Sequence, residues 1–158
     1  MPRGKTNPSK TFHKTIRRLL DEGKYDEIIQ SIRTFDESDA TILPDTIANV
    51  LANFQHISTP SNQETIDYLL SLIKEENYTE LVYTSLIKIY AECDPMILKY
   101  YEMMKKNGIP VKRRTLAPIF EHSHTYNFLF FNEAKVQGVS LTIEDYSNIL
   151  SNLTHSCH

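Results

Sequence analysis

Residues 82–109 read VYTSLIKIYAECDPMILKYYEMMKKNGI, and this stretch determines the predicted fold. Its apolar side chains recur at offsets of zero, three, four and seven residues, which places them on one face of a helix. Two sets follow this spacing: Tyr83, Leu86, Ile87 and Tyr90, then Ile97, Tyr100, Tyr101 and Met104. The segment therefore predicts a helix, a turn and a second helix.

The same helical hairpin recurs along the chain. The first-helix sets begin 35, 36, 33 and 30 residues apart, at Phe12, Ile47, Tyr83, Leu116 and Tyr146. The last of them comprises Tyr146, Ile149, Leu150 and Leu153. A period of about 20 to 50 residues is typical of arrays whose neighbouring repeats bury each other's apolar faces. We expect an all-α fold, a right-handed α-α superhelix (solenoid) of about four to five hairpin repeats. The alternative is a bundle without true repetition, because any helical bundle shows such offsets.

Glycine, proline and capping residues mark the predicted helix boundaries. Gly23, Gly108 and Gly138 directly follow helical stretches, where a left-handed terminating residue costs least as glycine. Ser61 and Glu64 have the spacing of a reciprocal capping box. Asp94 followed by Pro95 is typical of a helix cap and its first helical residue.

Composition excludes several classes of protein. The chain has 158 residues, 41% hydrophobic and 23% charged, as in ordinary soluble globular proteins. With only Cys93 and Cys157 it has no disulfide framework, and Cys93 is expected in the core. It shows neither a secretory signal nor an apolar run of the ~18 residues that a membrane span needs. We expect an intracellular protein, with the nucleus, the cytoplasm and an organelle all open.

Basic residues are concentrated at the start of the chain. The net charge is −3, so nucleic-acid binding would have to depend on a local cluster of cations. Six basic residues precede the first carboxylate, Asp21: Arg3, Lys5, Lys10, Lys14, Arg17 and Arg18. We expect a basic, disordered tail over 1–8, a repeat domain over 9–153 and a frayed C-terminus over 154–158. A solvated tail without function is the alternative interpretation of these cations.

The quoted segment resembles a pentatricopeptide repeat. The resemblance lies in a first helix of the form Tyr-x-x-Leu-Ile, at Tyr83, Leu86 and Ile87, and in the ending Met104, Lys105, Gly108 and Ile109. Gly138 and Val139 repeat the ending one unit later. The resemblance implies a stacked helical-repeat protein that binds RNA.

Residues 112–150 are similar to the repeat region of protein-only ribonuclease P. A basic segment, Lys112 to Arg114, precedes a first helix that contains Pro118, which we place in the first turn of a helix beginning near Thr115. That family joins its repeats to a zinc-containing connector and a metallonuclease domain, and we expect this chain to lack both. The resemblance therefore implies recognition of tRNA-like RNA for 5′ maturation, assisting a separate nuclease, without catalysis by this chain. A truncated relative of the enzyme is an alternative.

The family pattern also implies which residues face RNA. One position per repeat lies on the first helix: His13, Ala48, Thr84, Ala117 and Ser147. Another lies in the preceding loop: Leu43, Thr79, Lys112 and Thr142. Since Ala48, Ala117 and Leu43 offer no donor or acceptor for a base, recognition of RNA shape and phosphates is expected instead. The expected phosphate contacts are Lys112, Arg113, Arg114, Lys10, Lys14, Arg17 and Arg18.

No motif for catalysis, a cofactor or a metal is found in the sequence. The terminal His155, Cys157 and His158 lack a fourth ligand on a rigid frame for zinc. His122 and His124 are expected at a helix end. Asp36, Glu37 and Asp39 lack the glycine turn and final glutamate of a calcium loop. Since helical-repeat proteins also bind peptides, a protein-interaction scaffold remains the alternative function.

Overall fold

Nine α-helices form the described structure, a computed structural model that covers residues 7–57, 59, 61–123 and 125–156, with the backbone alone beyond 152. No strand occurs within these ranges, so the predicted all-α class is confirmed. The helices are α1 (Pro8–Asp21), α2 (Ile28–Asp36), α3 (Pro44–Ala52), α4 (Asn62–Ser71), α5 (Glu80–Ile89), α6 (Asp94–Lys106), α7 (Arg113–His122), α8 (Asn127–Gln137) and α9 (Ile143–Ser156). Short 3₁₀ turns lie at Tyr25–Glu27, Phe54–His56 and Glu75–Asn77.

The chain divides into two compact units, one ending at Val82 and the other beginning at Tyr83. In the first unit α1 packs against α2 and α3, and α3 packs against α4. Their contacts bury the apolar positions that the helical spacing predicts: Phe12, Ile16, Leu19, Ile28, Ile32, Ile47, Val50, Leu51, Ile66 and Leu69. Most of the apolar positions predicted for these helices are therefore in the core, while Tyr25, Ile29 and Leu70 are only half-buried.

In the second unit α7 packs against both α8 and α9, which also contact each other. The buried side chains are again those of the helical template: Tyr83, Leu86, Ile87, Ile97, Tyr100, Tyr101, Met104, Leu116, Ile119 and Phe120. The Tyr101 ring meets Phe130 of α8 edge to face, with centroids 4.8 Å apart. This unit has its own apolar core.

Helix α9 is rotated relative to the sequence prediction. Tyr146 is 47% exposed and Leu150 is 65% exposed, whereas Asp145, Ile149 and Asn152 are buried. The side-chain amide of Asn152 donates to the backbone carbonyl of Phe120 at 2.6 Å, and the Asp145 carboxylate accepts from Arg113. These two bonds to α7 fix the rotation of α9, so the prediction that Tyr146 and Leu150 lie in the core is wrong.

Hydrogen bonds between residues 31 to 33 apart recur in both units. The first unit contains Ser9 with Thr41, His13 with Thr46, and Asp36 with Tyr68. The second contains Thr84 with Thr115, Tyr101 with Glu133, Arg113 with Asp145, and Phe120 with Asn152. Successive hairpins in each unit are therefore placed side by side with nearly the same register.

The three glycines end their helices as predicted. Gly23, Gly108 and Gly138 each have a φ of 71°, in the left-handed region. The residue after each glycine donates its backbone N–H to a carbonyl five residues earlier, at 2.9 Å for Lys24, 3.0 Å for Ile109 and 2.8 Å for Val139. This is the Schellman arrangement, which satisfies carbonyls left over at a helix end. The glycine endings at 108 and 138 are therefore structurally equivalent.

Asp39 takes a left-handed conformation without being glycine. Its φ is 60°, the only positive value among the described non-glycine residues, and it follows the end of α2. A side chain in this region costs about 1–2 kcal/mol, and a carboxylate near a helix C-terminus adds to the cost. We expect Asp39→Gly to raise the free energy of unfolding by about 0.5–1 kcal/mol, measured by urea unfolding.

Two variants separate the causes of this effect. Asp39→Asn removes the charge but keeps a β-carbon, so it should give a smaller gain. Ser38→Gly, one residue away, should destabilise the protein, because glycine adds freedom to the unfolded chain and the hydrogen bond from the Ser38 hydroxyl to the Phe35 backbone carbonyl is lost. A stability for Asp39→Gly equal to or below that of the wild type would contradict the assignment of strain to Asp39.

Several predicted boundaries and positions are corrected. Helix α6 is capped by Cys93, which is exposed rather than in the core, and Asp94 is its first residue. The Asp94 carboxylate instead accepts a hydrogen bond from the Ser123 hydroxyl at 3.0 Å. Helix α7 begins at Arg113, so Pro118 lies in its interior, where it removes one backbone hydrogen bond.

The predicted ends of the repeat domain also shift. Helix α1 begins at Pro8, and the side chain of its cap, Asn7, accepts from the Ser9 backbone N–H at 2.9 Å. Helix α9 continues to Ser156. Residues 7 and 8, predicted to belong to the disordered tail, are therefore the cap and the first residue of α1. Residues 154–156, predicted to be frayed, are helical. Residues 1–6, 157 and 158 lie outside the described ranges.

Candidate nucleic-acid interface

Helix α1 carries four exposed cations, Lys10, Lys14, Arg17 and Arg18, which we call the α1 cation face. Their spacing of four, seven and eight residues places them on one side of the helix, while Phe12, Ile16 and Leu19 hold the other side in the core. Among the described residues none of the four has a carboxylate within 4.0 Å. They form a local positive surface on a chain of negative net charge.

A polar groove lies beside this face, between α1 and α3. It has a volume of about 230 Å³ and is lined by Arg17, Leu20, Asp21, Asn49 and Asn53. The two asparagines are four residues apart and half-buried, and the Asn53 side-chain amide donates to the Asn49 backbone carbonyl at 2.9 Å. The groove therefore offers a guanidinium, a carboxylate and two carboxamides along one edge of the first unit.

His13 lies one helical turn before Arg17, on the same side of α1. Its Nδ1 atom is 2.8 Å from the Thr46 hydroxyl of α3, which orients the ring between the two helices. His13 is half-buried. Of the predicted RNA-facing residues, the structure thus brings His13, Lys10, Lys14 and Arg17 together on one helix.

The chemistry of this surface suits a polyanion. Lysine and arginine contact phosphate oxygens without reading sequence, and arginine and asparagine present paired donors or a donor and an acceptor to base edges. Asn49 and Asn53 were missed by the sequence interpretation. Asn49 lies on α3 and Asn53 directly follows the end of that helix, but only the packing of α3 against α1 shows that they lie beside Arg17.

The three basic residues at the start of α7, Lys112, Arg113 and Arg114, have different environments. Lys112 and Arg114 are exposed. Arg113 instead binds Asp145 of α9 with two bonds, from Nε to Oδ2 at 2.7 Å and from a terminal nitrogen to Oδ1 at 3.0 Å. It also donates to the Thr142 hydroxyl at 3.1 Å. The guanidinium of Arg113 therefore connects α7 to α9, and contact with a phosphate would compete with this role.

Asp145 is the buried partner in this ion pair, and its side chain is only 1% exposed. It also forms a reciprocal cap with Thr142: the Thr142 backbone N–H donates to Oδ2 at 2.9 Å, and the Asp145 backbone N–H donates to the Thr142 hydroxyl at 3.2 Å. Burial alone would raise the pKa of Asp145, but the hydrogen bonds from Arg113 and Thr142 outweigh burial and lower it. The carboxylate is thus held ionised.

The remaining residues predicted to contact RNA differ in how far they are buried or hydrogen-bonded within the protein. The Thr84 hydroxyl is 3.0 Å from that of Thr115, and Thr79 accepts from the backbone N–H of Val82 at 3.4 Å. Ala48 is fully buried, which removes it from any contact with a ligand. Ala117 is half-buried and Ser147 is exposed on α9. Ser147 has no cation beside it on the outward face of that helix.

Within the described ranges, no group of three or more His, Cys, Asp or Glu side chains could hold a metal ion. His122 ends α7 as predicted, while His124, Cys157 and His158 lie outside the described residues and the side chain of His155 is not described. In the same ranges no helix has the length and apolar character required to cross a bilayer.

Comparison of the sequence with models of known protein families and with curated proteins finds no match.

Proposed function

We propose that this chain is an RNA-binding helical-repeat module of the pentatricopeptide kind, which recognises tRNA-like or other structured RNA. The observation that carries the proposal is the α1 cation face beside the polar groove of Arg17, Asn49 and Asn53. Four cations without an ionic partner among the described residues are available to phosphates, and each phosphate contact contributes to affinity by releasing counterions.

The proposed architecture is a right-handed superhelix in which about four to five hairpins stack in series. The hydrogen bonds at separations of 31 to 33 residues support it, since a serial stack brings equivalent positions of successive repeats together. The equivalent Gly108 and Gly138 endings support it further. Both features also agree with the resemblance to pentatricopeptide repeats.

Recognition in this proposal depends on RNA shape and phosphates. A base-by-base code needs accessible donors and acceptors in every repeat, but Ala48 is buried and the Thr84 and Thr142 hydroxyls already bond within the protein. We further propose that the chain performs no catalysis and presents tRNA precursors to a separate nuclease for 5′ maturation inside the cell. This part of the proposal rests on the resemblance of residues 112–150 to protein-only ribonuclease P.

The direct test is fluorescence anisotropy of the purified chain with a precursor tRNA and with an unstructured RNA of equal length, at two salt concentrations. We expect tighter, salt-sensitive binding to the tRNA, because a folded RNA presents phosphates of several strands to the cation face at once. Absence of binding to either RNA at low salt would overturn the proposal. Equal affinity for both RNAs would overturn the proposed preference of the chain for structured RNA.

A protein-interaction scaffold is the second candidate function. The exposed, uncharged residues on the outward side of α9 favour it, as does the net charge of −3. The anisotropy measurement discriminates between the two, because a scaffold without an RNA site would bind neither RNA at low salt.

A further inference from the structure

Asp21 places a carboxylate in the polar groove, next to the α1 cation face. A carboxylate repels the phosphates that this face would bind, and Asp21 is also the last residue of α1, where a negative charge opposes the helix dipole. Among the described residues no cation lies within 4.0 Å of it, whereas the neighbouring Glu22 pairs with Lys24 at 3.0 Å. Neither phosphate binding nor helix stability therefore gives this carboxylate a role.

Asn49 and Asn53 give the groove further acceptors and donors. The Asn53 side-chain nitrogen donates to the Asn49 backbone carbonyl at 2.9 Å. Since a carbonyl only accepts, this bond fixes the orientation of the carboxamide and leaves its Oδ1 atom as an acceptor. The Asn49 side chain has no hydrogen bond within the described part of the chain, so its amide remains a donor. The groove thus combines acceptors at Asp21 and Asn53 with donors at Asn49 and Arg17.

We propose that the polar groove binds one unpaired guanine of the RNA, with the Asp21 carboxylate accepting from its N1–H and N2–H groups. This inference rests on the proposed RNA binding and adds one base contact to recognition by shape and phosphates. Guanine alone among the four bases has two adjacent donors on its Watson–Crick edge, and an ionised carboxylate has two acceptor oxygens. Adenine and cytosine have one donor beside an acceptor, and uracil has one donor between two acceptors. Each of these three bases would leave an acceptor facing a carboxylate oxygen.

The rest of the groove suits the same base. The Asn49 amide is the donor for guanine O6, and the half-buried side chain of Leu20 offers an apolar surface to the face of the ring. A volume of about 230 Å³ has room for one base but not for a base pair, so the guanine must lie in a loop or a bulge. Arg17 stays available for the phosphate backbone beside it.

Binding of the full chain to a set of matched RNA hairpins tests the inference. The hairpins share one stem and have a loop of uridines that contains a single guanosine, inosine or adenosine. Inosine differs from guanosine only by the missing 2-amino group, so its hairpin should bind about 10-fold more weakly, as for other lost hydrogen bonds to a charged group. The adenosine hairpin should bind at least as weakly as the inosine hairpin, because adenine N1 is an acceptor that would face Asp21. Fluorescence anisotropy at one low salt concentration measures all three affinities.

The variant Asp21→Asn separates a guanine contact from an effect of charge. If the protein contacted phosphates alone, loss of a carboxylate would tighten binding to every hairpin. Under the proposal the variant binds the guanosine hairpin about 10-fold more weakly than the wild type and loses the preference for guanosine over inosine, because a carboxamide cannot accept from both donors. The variant should fold, since Asp21 is exposed and asparagine removes the charge that opposes the helix dipole. The matched control is Asp26→Asn, exposed and outside the groove, which should keep the wild-type preference for guanosine.

The outcomes distinguish this inference from the proposed function. Equal binding of the three hairpins by the wild type would overturn the guanine contact and leave the proposed RNA binding intact. The same conclusion would follow if Asp21→Asn bound the guanosine hairpin as tightly as the wild type or more tightly. If no hairpin bound at low salt, the proposed RNA binding and the guanine contact would both be overturned.

Discussion

Asp145→Asn is expected to lower the free energy of unfolding by about 2 kcal/mol, the usual range for losing a buried hydrogen bond to a charged group. The Asp145 carboxylate accepts from Arg113 at both oxygens and from the Thr142 backbone N–H. In the variant one oxygen becomes an NH₂ group, which would face a donor of Arg113. Urea unfolding at neutral pH, followed by circular dichroism, measures the change.

Glu144→Gln is the matched control for this variant. Glu144 is the neighbouring carboxylate on α9 and is exposed, so the same loss of charge should change stability by less than about 0.5 kcal/mol. Hydrogen exchange should also show faster opening of α9 in Asp145→Asn, because the lost bonds join α9 to α7. If the two variants were equally stable, the ion pair between Arg113 and Asp145 would not be what holds α9 against α7.

The effect of Asp145→Asn should depend on pH in a defined direction. The pKa of Asp145 in the folded protein lies below its ordinary value, since the bonds from Arg113 and Thr142 outweigh burial. Its contribution to stability is therefore present above the unfolded pKa of about 3.9 and is lost as pH falls through the folded pKa. The stability difference between wild type and variant should thus shrink between about pH 5 and pH 2.

The sequence predicts the helices well because local rules determine them. The spacing of Ile47, Val50 and Leu51 identifies a buried helical face, and Gly108 and Gly138 end their helices in the conformation that only glycine takes easily. The rotation of α9 could not be predicted in the same way. The apolar spacing suggests that Tyr146 and Leu150 are buried, but the bond from Arg113 to Asp145 leaves both of them exposed while Ile149 stays in the core.

The candidate site was only partly predictable for a related reason. The cations of α1 are visible in the sequence because they share one helix and precede the first carboxylate. Asn49 and Asn53 come near Arg17 only through the packing of α3 on α1, which brings together residues 32 and 36 positions apart. The same kind of long-range contact gives Arg113 a buried partner, which the sequence interpretation had treated as a free cation.

Replacing the α1 cation face with glutamine should weaken binding to precursor tRNA by on the order of 10- to 100-fold at low salt. The variant is Lys10→Gln, Lys14→Gln, Arg17→Gln, Arg18→Gln. Each lost phosphate contact should also reduce the slope of log affinity against log salt by about 0.7 to 0.9. Anisotropy titrations at several salt concentrations give both quantities. Folding should be preserved, since the four side chains are exposed and like charges four residues apart repel each other in the wild type.

The matched control removes four exposed cations elsewhere: Lys74, Lys88, Lys99 and Lys106, each changed to Gln. Both variants lower the net charge by the same amount, so a general electrostatic effect would weaken RNA binding equally in the two. A specific interface on α1 predicts a large loss of affinity and slope in the first variant and a small loss in the second. Equal losses would show that the affinity for RNA depends on the overall charge of the protein. The groove of Arg17, Asn49 and Asn53 would then have no special role in binding.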